Sequence, residues 1–233
     1  MTTPSFAQTQ FKQNQLKFER VKAAYDTTWT ALQTKLKKDN FSTNFEVFIA
    51  AYKAEGKLEV WLRSNGQNQF FLFESYKFCE HSGKLGPKII EGDLQTPEGF
   101  YKINVFNPES TYHLSLGIDY PNKVDLERTG KDQKPGGDIY IHGNCTTVGC
   151  IPLTDEKIKE VYLLAVEAKN AGQEEIQVYI FPFKMTDRNL RKHGKEFPQQ
   201  LSFWQNLQQG YAYFAKYRTL PSVSEVKGAY LVK

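Results

Sequence analysis

The sequence predicts an α+β fold, a β-rich core flanked by N- and C-terminal helices, and three observations predict it. Strand-like runs crowd the middle of the chain, clear helical periodicity is confined to three segments, and aromatics are abundant, with 17 Phe and 13 Tyr. Aromatic residues suit pleated, half-buried surfaces and grooves. A chain of 233 residues is long enough to bury a sizeable core.

Residues 11–38 form the first helical segment. Phe18, Val21, Tyr25, Trp29, Leu32 and Leu36 recur at steps of three and four, giving one apolar stripe that Asp39-Asn40 ends. Strand-like runs follow at 45–52, 57–63 and 69–78, separated by the turn signals Ala54-Glu-Gly56 and Ser64-Asn-Gly66. Glu46 and Phe48, and Lys57, Glu59 and Trp61, alternate only in part, so the pattern leaves the register open. Residues 80–99 are irregular and punctuated by glycine. Strands are expected at 100–106, 112–118 and 138–142, with 119–137 as a long exposed loop. Thr154-Asp-Glu opens a helix to about Asn170, 175–183 reads as a strand, and 199–217 as a helix faced by Phe203, Trp204, Leu207, Tyr211, Phe214 and Tyr217. The chain divides into a leader or signal-peptide remnant (1–10), an N-terminal helix (11–42), a catalytic domain (43–185) and a C-terminal helical extension (186–233). Ser5-Phe6-Ala7 matches the small-x-small tail of an export signal, or is a chance triplet.

Charge excludes little. The net charge is +4 and no block of five like charges marks a nucleic-acid arm. No run of about 18 apolar residues would span a membrane.

The stretch from Asp138 to Cys150 carries the chemistry. Ile139 and Ile141 alternate with Asp138, Tyr140 and His142, which puts His142 on the open face at a strand end, followed by Gly143. Pro152 keeps Ile151 extended, so Cys150 is expected on a stiff connector ahead of a helix N-terminus, whose partial positive charge favours thiolate. Gly149 would admit a substrate carbonyl, with amides at 149–150 as an oxyanion hole. Three readings compete: a satisfied histidine with a buried cysteine, a zinc site of His142, Cys145 and Cys150 with Cys79, and a nucleophile–base pair. The H-x2-C-x4-C spacing lacks the tight C-x2-C knuckle of structural zinc sites. A thiol with its base within hydrogen-bond reach is the acyl-transfer arrangement.

His142-Gly143 followed by Thr147-Val148-Gly149-Cys150 resembles the signature of the YkuD-type L,D-transpeptidases of bacterial peptidoglycan. The short spacer, together with Ser82–Lys88, Gly92–Tyr101, Asn107-Pro, Tyr112–Ser115, Ile180–Thr186 and Phe203-Trp204, is most similar to the YafK-like (DpaA-like) branch. The resemblance implies Cys150 as nucleophile, His142 as base, the Gly143 carbonyl orienting the ring, and Gly149 and Thr147 supporting the loop. It implies acyl transfer on peptidoglycan stem peptides through a thioester, with no metal or nucleotide cofactor, in the periplasm or exported envelope. The alternatives are a hydrolytic amidase or endopeptidase that releases a peptidoglycan-linked lipoprotein or a terminal D-amino acid, and a non-catalytic peptidoglycan-binding module.

Expected substrate contacts are Tyr112, His113, Tyr140, Asn144 and Lys84. Tyr112 and His113 are read as sharing a strand, and His81 and His193 as solvated. Many family members carry Arg two residues after the cysteine, where this chain has Pro152. Lys84 or Lys88 replaces that cation only if its loop folds over the site. Cys79 and Cys145 either pair as a disulfide or leave Cys145 packed under the loop.

Overall fold

A computed structural model describes residues 6–233, the first four of them as backbone only. Residues 1–5 of the expected leader lie outside the described residues, and 6–10 belong to the first turns of a helix. The N-terminal helical segment is broken into α1 (Phe6–Gln15), α2 (Glu19–Ala24), a π-helical turn (Tyr25–Trp29) and α3 (Thr30–Lys38). The break falls where Phe18 turns extended at the start of α2.

The strands are β1 (Phe45–Tyr52), β2 (Lys57–Ser64), β3 (Phe71–Lys77), β4 (Gly99–Asn107), β5 (Ser115–Ile118), β6 (Tyr140–His142), β7 (Ile151–Pro152) and β8 (Gln177–Phe181). They form one mixed sheet in the order β3-β2-β1-β8-β4-β5-β6-β7. α5 (Asp155–Asn170) follows β7 and returns the chain to the parallel β1–β8 pair at the centre. The sheet is covered on both faces, which explains the partial alternation. On one face Val47, Ile49, Val60, Leu62, Val178 and Ile180 pack against α5 and the N-terminal helices. On the other Phe48, Trp61, Tyr179 and Phe181 meet Trp204, Leu207 and Phe214 of α7 (Leu201–Tyr217). Gly210 lets α7 come close, since a Cβ there would lie 2.6 Å from the Phe100 ring.

Four elements differ from the sequence expectation. The loop 119–137 contains α4 (Lys123–Thr129), started by a capping box in which Asn122 accepts from the Asp125 amide and Asp125 accepts from the Asn122 amide. The C-terminal extension opens with α6 (Asp187–Glu196), capped by Thr186, which precedes α7. It closes with a hairpin, β9 (Val223–Val226) and β10 (Ala229–Val232), turned at Lys227 and Gly228, both at positive φ. The strand expected at 112–118 begins only at Ser115, so His113 sits in a turn at positive φ. Finally, the edge strands meet at one end, where the Cys79 amide donates to the Pro152 carbonyl. The loops that begin at Cys79 and at Gly143 gather there, bridged by the Cys79–Cys145 disulfide.

Candidate active site

Strand β6 delivers His142. Its ring is buried, 1% exposed, on the face that parity assigns, but Tyr112 covers it with ring centroids 4.7 Å apart. The expected open face is therefore roofed by an aromatic side chain. Nδ1 donates to the Gly143 carbonyl at 2.5 Å. A carbonyl only accepts, so the neutral ring leaves Nε2 unprotonated and able to take a proton. Burial pushes the His142 pKa below its ordinary value, opposed in part by the Gly143 hydrogen bond. Gly143 is required by close approach: a Cβ there would lie 2.6 Å from Oδ1 of Asp155, which opens α5.

The loop from Asn144 to Gly149 is short and laced by local bonds. The Asn144 amide donates to Asp155 Oδ1 at 2.9 Å, and Thr147 Oγ1 donates to the Cys150 carbonyl at 2.9 Å. The Gly149 amide donates to Thr147 Oγ1 at 3.3 Å, so it is turned into the loop rather than to an oxyanion. Gly149 makes room for protein instead of substrate, because a Cβ would meet the Gln95 carbonyl at 2.9 Å.

Strand β7 pairs parallel with β6, Ile141 opposite Ile151 and His142 opposite Pro152, which sets Cys150 beside Tyr140. Cys150 is half-buried. Its Sγ accepts from the Tyr140 amide at 3.4 Å and donates to the Asp138 carbonyl at 3.5 Å, and among the described residues it makes no hydrogen bond to His142. Burial pushes the thiol pKa up. The helix N-terminus expected to favour thiolate is set off from Cys150 by Ile151–Thr154, since Ile151 and Pro152 add to the sheet before α5 starts. Cys79 and Cys145 form a disulfide, so neither remains as a thiolate for zinc.

A lid, residues 79–98, folds over these strands. Cys150 and Lys84 line one cavity of about 230 Å³, with Phe78, Glu80, Leu85 and Lys53. Lys84 thus shares a cavity with the thiol, whereas Lys88 is buried with its ammonium on the Ile90 carbonyl and Asp93, and its charge acts to lower the Cys150 pKa against the larger effect of burial. Tyr140 is half-buried beside Cys150, and Asn144 is exposed on the loop. His113 does not share a strand with Tyr112. Its carbonyl accepts from Arg20, and its Nε2 is buried without a partner among the described residues. His81 is exposed as expected, but His193 stacks on Phe183, with centroids 4.5 Å apart.

A model of the YkuD L,D-transpeptidase catalytic domain matches residues 48–180, a span that holds both strands of the site and the lid. The chain belongs to this family. It is 38% identical over 188 residues to the Escherichia coli K12 protein named "Putative L,D-transpeptidase YafK", covering 80% of this chain and 73% of that one, and equally to its O157:H7 counterpart. Among solved structures, the helical cell shape determining protein Pgp2 of Campylobacter jejuni aligns at 20% identity and TM-score 0.47, covering 79% of this chain and 74% of that one. A K307A mutant of it aligns at 22% and 0.47 over 73% of this chain and 56% of that one.

The family signature singles out His142, Gly143, Thr147, Gly149 and Cys150, but it passes over the groups that hold the lid of this L,D-transpeptidase-family chain. Lys53 Nζ donates to the carbonyls of Gly86 and Thr96 and to Glu98 Oε1, at 2.6, 2.8 and 2.9 Å. Glu98 is fully buried and also accepts from the Gly86 amide and Trp204 Nε1. The signal was present: a lone lysine directly after the apolar run 45–52, and an acid inside Thr96-Pro-Glu-Gly99. Gln95 and Asp155, which abut the loop 143–149, left no comparable mark.

Proposed function

We propose that the chain is a cysteine-dependent acyltransferase of the bacterial envelope, acting on peptidoglycan stem peptides with Cys150 as nucleophile and His142 as base. The observation that carries this reading is a single free thiol opening into a cavity, on the sheet face of a histidine whose tautomer leaves Nε2 basic. Substrate entry displaces the Asp138 contact. The thiol proton passes to His142 Nε2 as sulfur bonds to the stem-peptide carbonyl carbon. The imidazolium then returns the proton to the departing amino group as the carbon–nitrogen bond breaks, leaving a thioester. An amine acceptor completes transpeptidation, and water completes hydrolysis. Peptidoglycan-linked lipoprotein is a candidate substrate of the hydrolytic branch. The Cys79–Cys145 disulfide supports an oxidising compartment such as the periplasm. Among the described residues no helix is long and apolar enough to cross a membrane.

The test is mass spectrometry of muropeptides incubated with the protein. Expected products are crosslinked dimers or shortened stems, with Cys150→Ala and His142→Ala each lowering turnover by about 10³-fold or more. Unchanged muropeptides with the intact protein would sink the enzyme reading and leave a binding module.

A further inference from the structure

A second aromatic surface lies away from the thiol. The turn between β2 and β3 and the C-terminal end of α7 bound an open groove of about 520 Å³, lined chiefly by Gln67, Asn68, Gln69, Phe71, Tyr213 and Tyr217. Phe71 opens β3 and the lid starts beyond that strand's other end, so the seven residues of β3 set the groove roughly 20 Å from Cys79. Its two walls are pinned to each other. The Phe70 amide donates to the Arg218 carbonyl at 2.7 Å, and Gln69 Nε2 donates to the Tyr217 carbonyl at 3.0 Å. Phe71 nonetheless stays 47% exposed. Tyr213 is half-buried and packs on Tyr217, with ring centroids 4.8 Å apart. Exposed aromatic rings gathered at a groove and held in place mark a binding surface.

The polar groups of the groove select its ligand. No lining residue carries a charge. The cations nearby are drawn onto rings, Arg63 over Phe70, Arg218 over Trp61 and Lys216 over Tyr217, which leaves Phe71 and Tyr213 as the platforms. Two amides are oriented by their partners. Gln67 Oε1 accepts from the Ser64 amide at 3.2 Å, so its Nε2 is left as a donor, and Gln69 spends Nε2 on a carbonyl, so its Oε1 is left as an acceptor. Among the described residues neither of these two atoms has a protein partner. The groove is open, with rings to lie on and no deep socket for the anchoring side chain of a protein partner. Flat rings beside neutral, oriented amides complement flat C–H faces and uncharged polar groups, the chemistry of a pyranose chain. An acetamido substituent supplies the matching carbonyl and N–H. We infer that this groove binds a neutral glycan chain bearing acetamido groups. Its sugar faces lie on Phe71 and Tyr213, its acetamido carbonyl accepts from Gln67 Nε2, and its acetamido N–H donates to Gln69 Oε1. The binding does not depend on the acyl-transfer reading.

The experiment is calorimetric titration of the intact protein with three probes: the β-1,4-linked N-acetylglucosamine tetramer, the same tetramer deacetylated, and cellotetraose, which lacks the nitrogen. The acetylated tetramer is expected to bind saturably and about 10-fold tighter than cellotetraose, the acetamido hydrogen bonds being worth that factor. Phe71→Ala, at an exposed ring, weakens the acetylated tetramer about 10-fold or more without moving the thermal midpoint. Gln67→Glu keeps an oxygen for the Ser64 amide but removes the free donor, so it abolishes the preference over cellotetraose. The alkylation rate of Cys150 stays at the parent value in both variants. Absence of saturable binding, equal affinity for cellotetraose, tighter binding of the cationic deacetylated tetramer, or binding that survives Phe71→Ala each overturns the proposal. So does a dimer in light scattering that Phe71→Ala disperses and no saccharide competes with, which would assign the groove to a second copy of this chain. Failure to turn over muropeptides strikes the acyl-transfer reading and leaves this binding result standing.

Discussion

The two loops that flank Cys150, 143–149 before it in the chain and 79–98 across the cavity from it, are built on opposite principles. The loop 143–149 joins neighbouring parallel strands, is short, and is held by neutral or singly charged contacts close in sequence, Thr147 to Cys150 and Asn144 to Asp155. The lid 79–98 is longer, has no regular secondary structure, and is held by two buried lysines, Lys53 on Glu98 and Lys88 on Asp93. Closing a longer segment costs more conformational entropy, and a surface loop cannot bury enough apolar area to offset it. Buried ion pairs are poor sources of net stability, yet breaking one is costly, so they fix a geometry without necessarily strengthening the fold. The lid is therefore specified by charge and the loop 143–149 by local turn chemistry. The disulfide ties the two together covalently.

The largest expected effect breaks the lid side of that contrast. Lys53→Met leaves Glu98 buried without its cation, which should cost about 3–5 kcal/mol in chemical denaturation. Hydrogen exchange should rise across 80–98 before it rises in β1. Adding Glu98→Leu should recover only part of the loss, because the Gly86 amide and the Trp204 indole then lose their acceptor. A single variant no weaker than the parent would mean that the clamp is incidental. A second, smaller break acts on both loops at once. Replacing Cys79 and Cys145 together by serine should cost about 2–4 kcal/mol, the usual worth of a bridge closing a long loop. Its bridge spans 66 residues. Peptide turnover should fall more than stability alone explains, since the loop after His142 and the lid lose their shared tether. Turnover that merely tracks the folded fraction would show that the bridge acts on the fold only.

How much of this was legible in the sequence follows the same division. β1, β2, β8, α5 and α7 could be read because apolar periodicity or turn residues mark them, and Cys150 and His142 because a short motif does. The Asn122–Asp125 capping box was legible as a local pattern and was missed inside a polar loop. The β9–β10 hairpin was missed because its residues are mostly exposed and lack alternation. The environment of the site lay further out of reach. No local pattern tells that Tyr112 roofs His142, that Gly149 receives the Gln95 carbonyl, or that Lys88 turns inward while Lys84 lines the Cys150 cavity. These contacts depend on how a long lid lands on a distant strand.

The smallest expected effect separates two states of the reactive pair. Burial lowers the His142 pKa and raises that of Cys150, so near neutrality the imidazole carries no proton and the thiol keeps its own. That is a general-base pair rather than a thiolate–imidazolium ion pair, for which the two shifts would have the opposite signs. The sign fixes the pH profile. Alkylation of Cys150 by iodoacetamide requires thiolate, so its rate should climb with pH and level off only above the ordinary thiol value of about 8.5. In His142→Ala no imidazolium is lost, and the midpoint should stay within a few tenths of a unit. A plateau already reached below neutrality, with the midpoint moving up on removal of His142, would mean the ion pair forms at rest. The loop 143–149 would then share with the lid the use of buried charge to hold its shape.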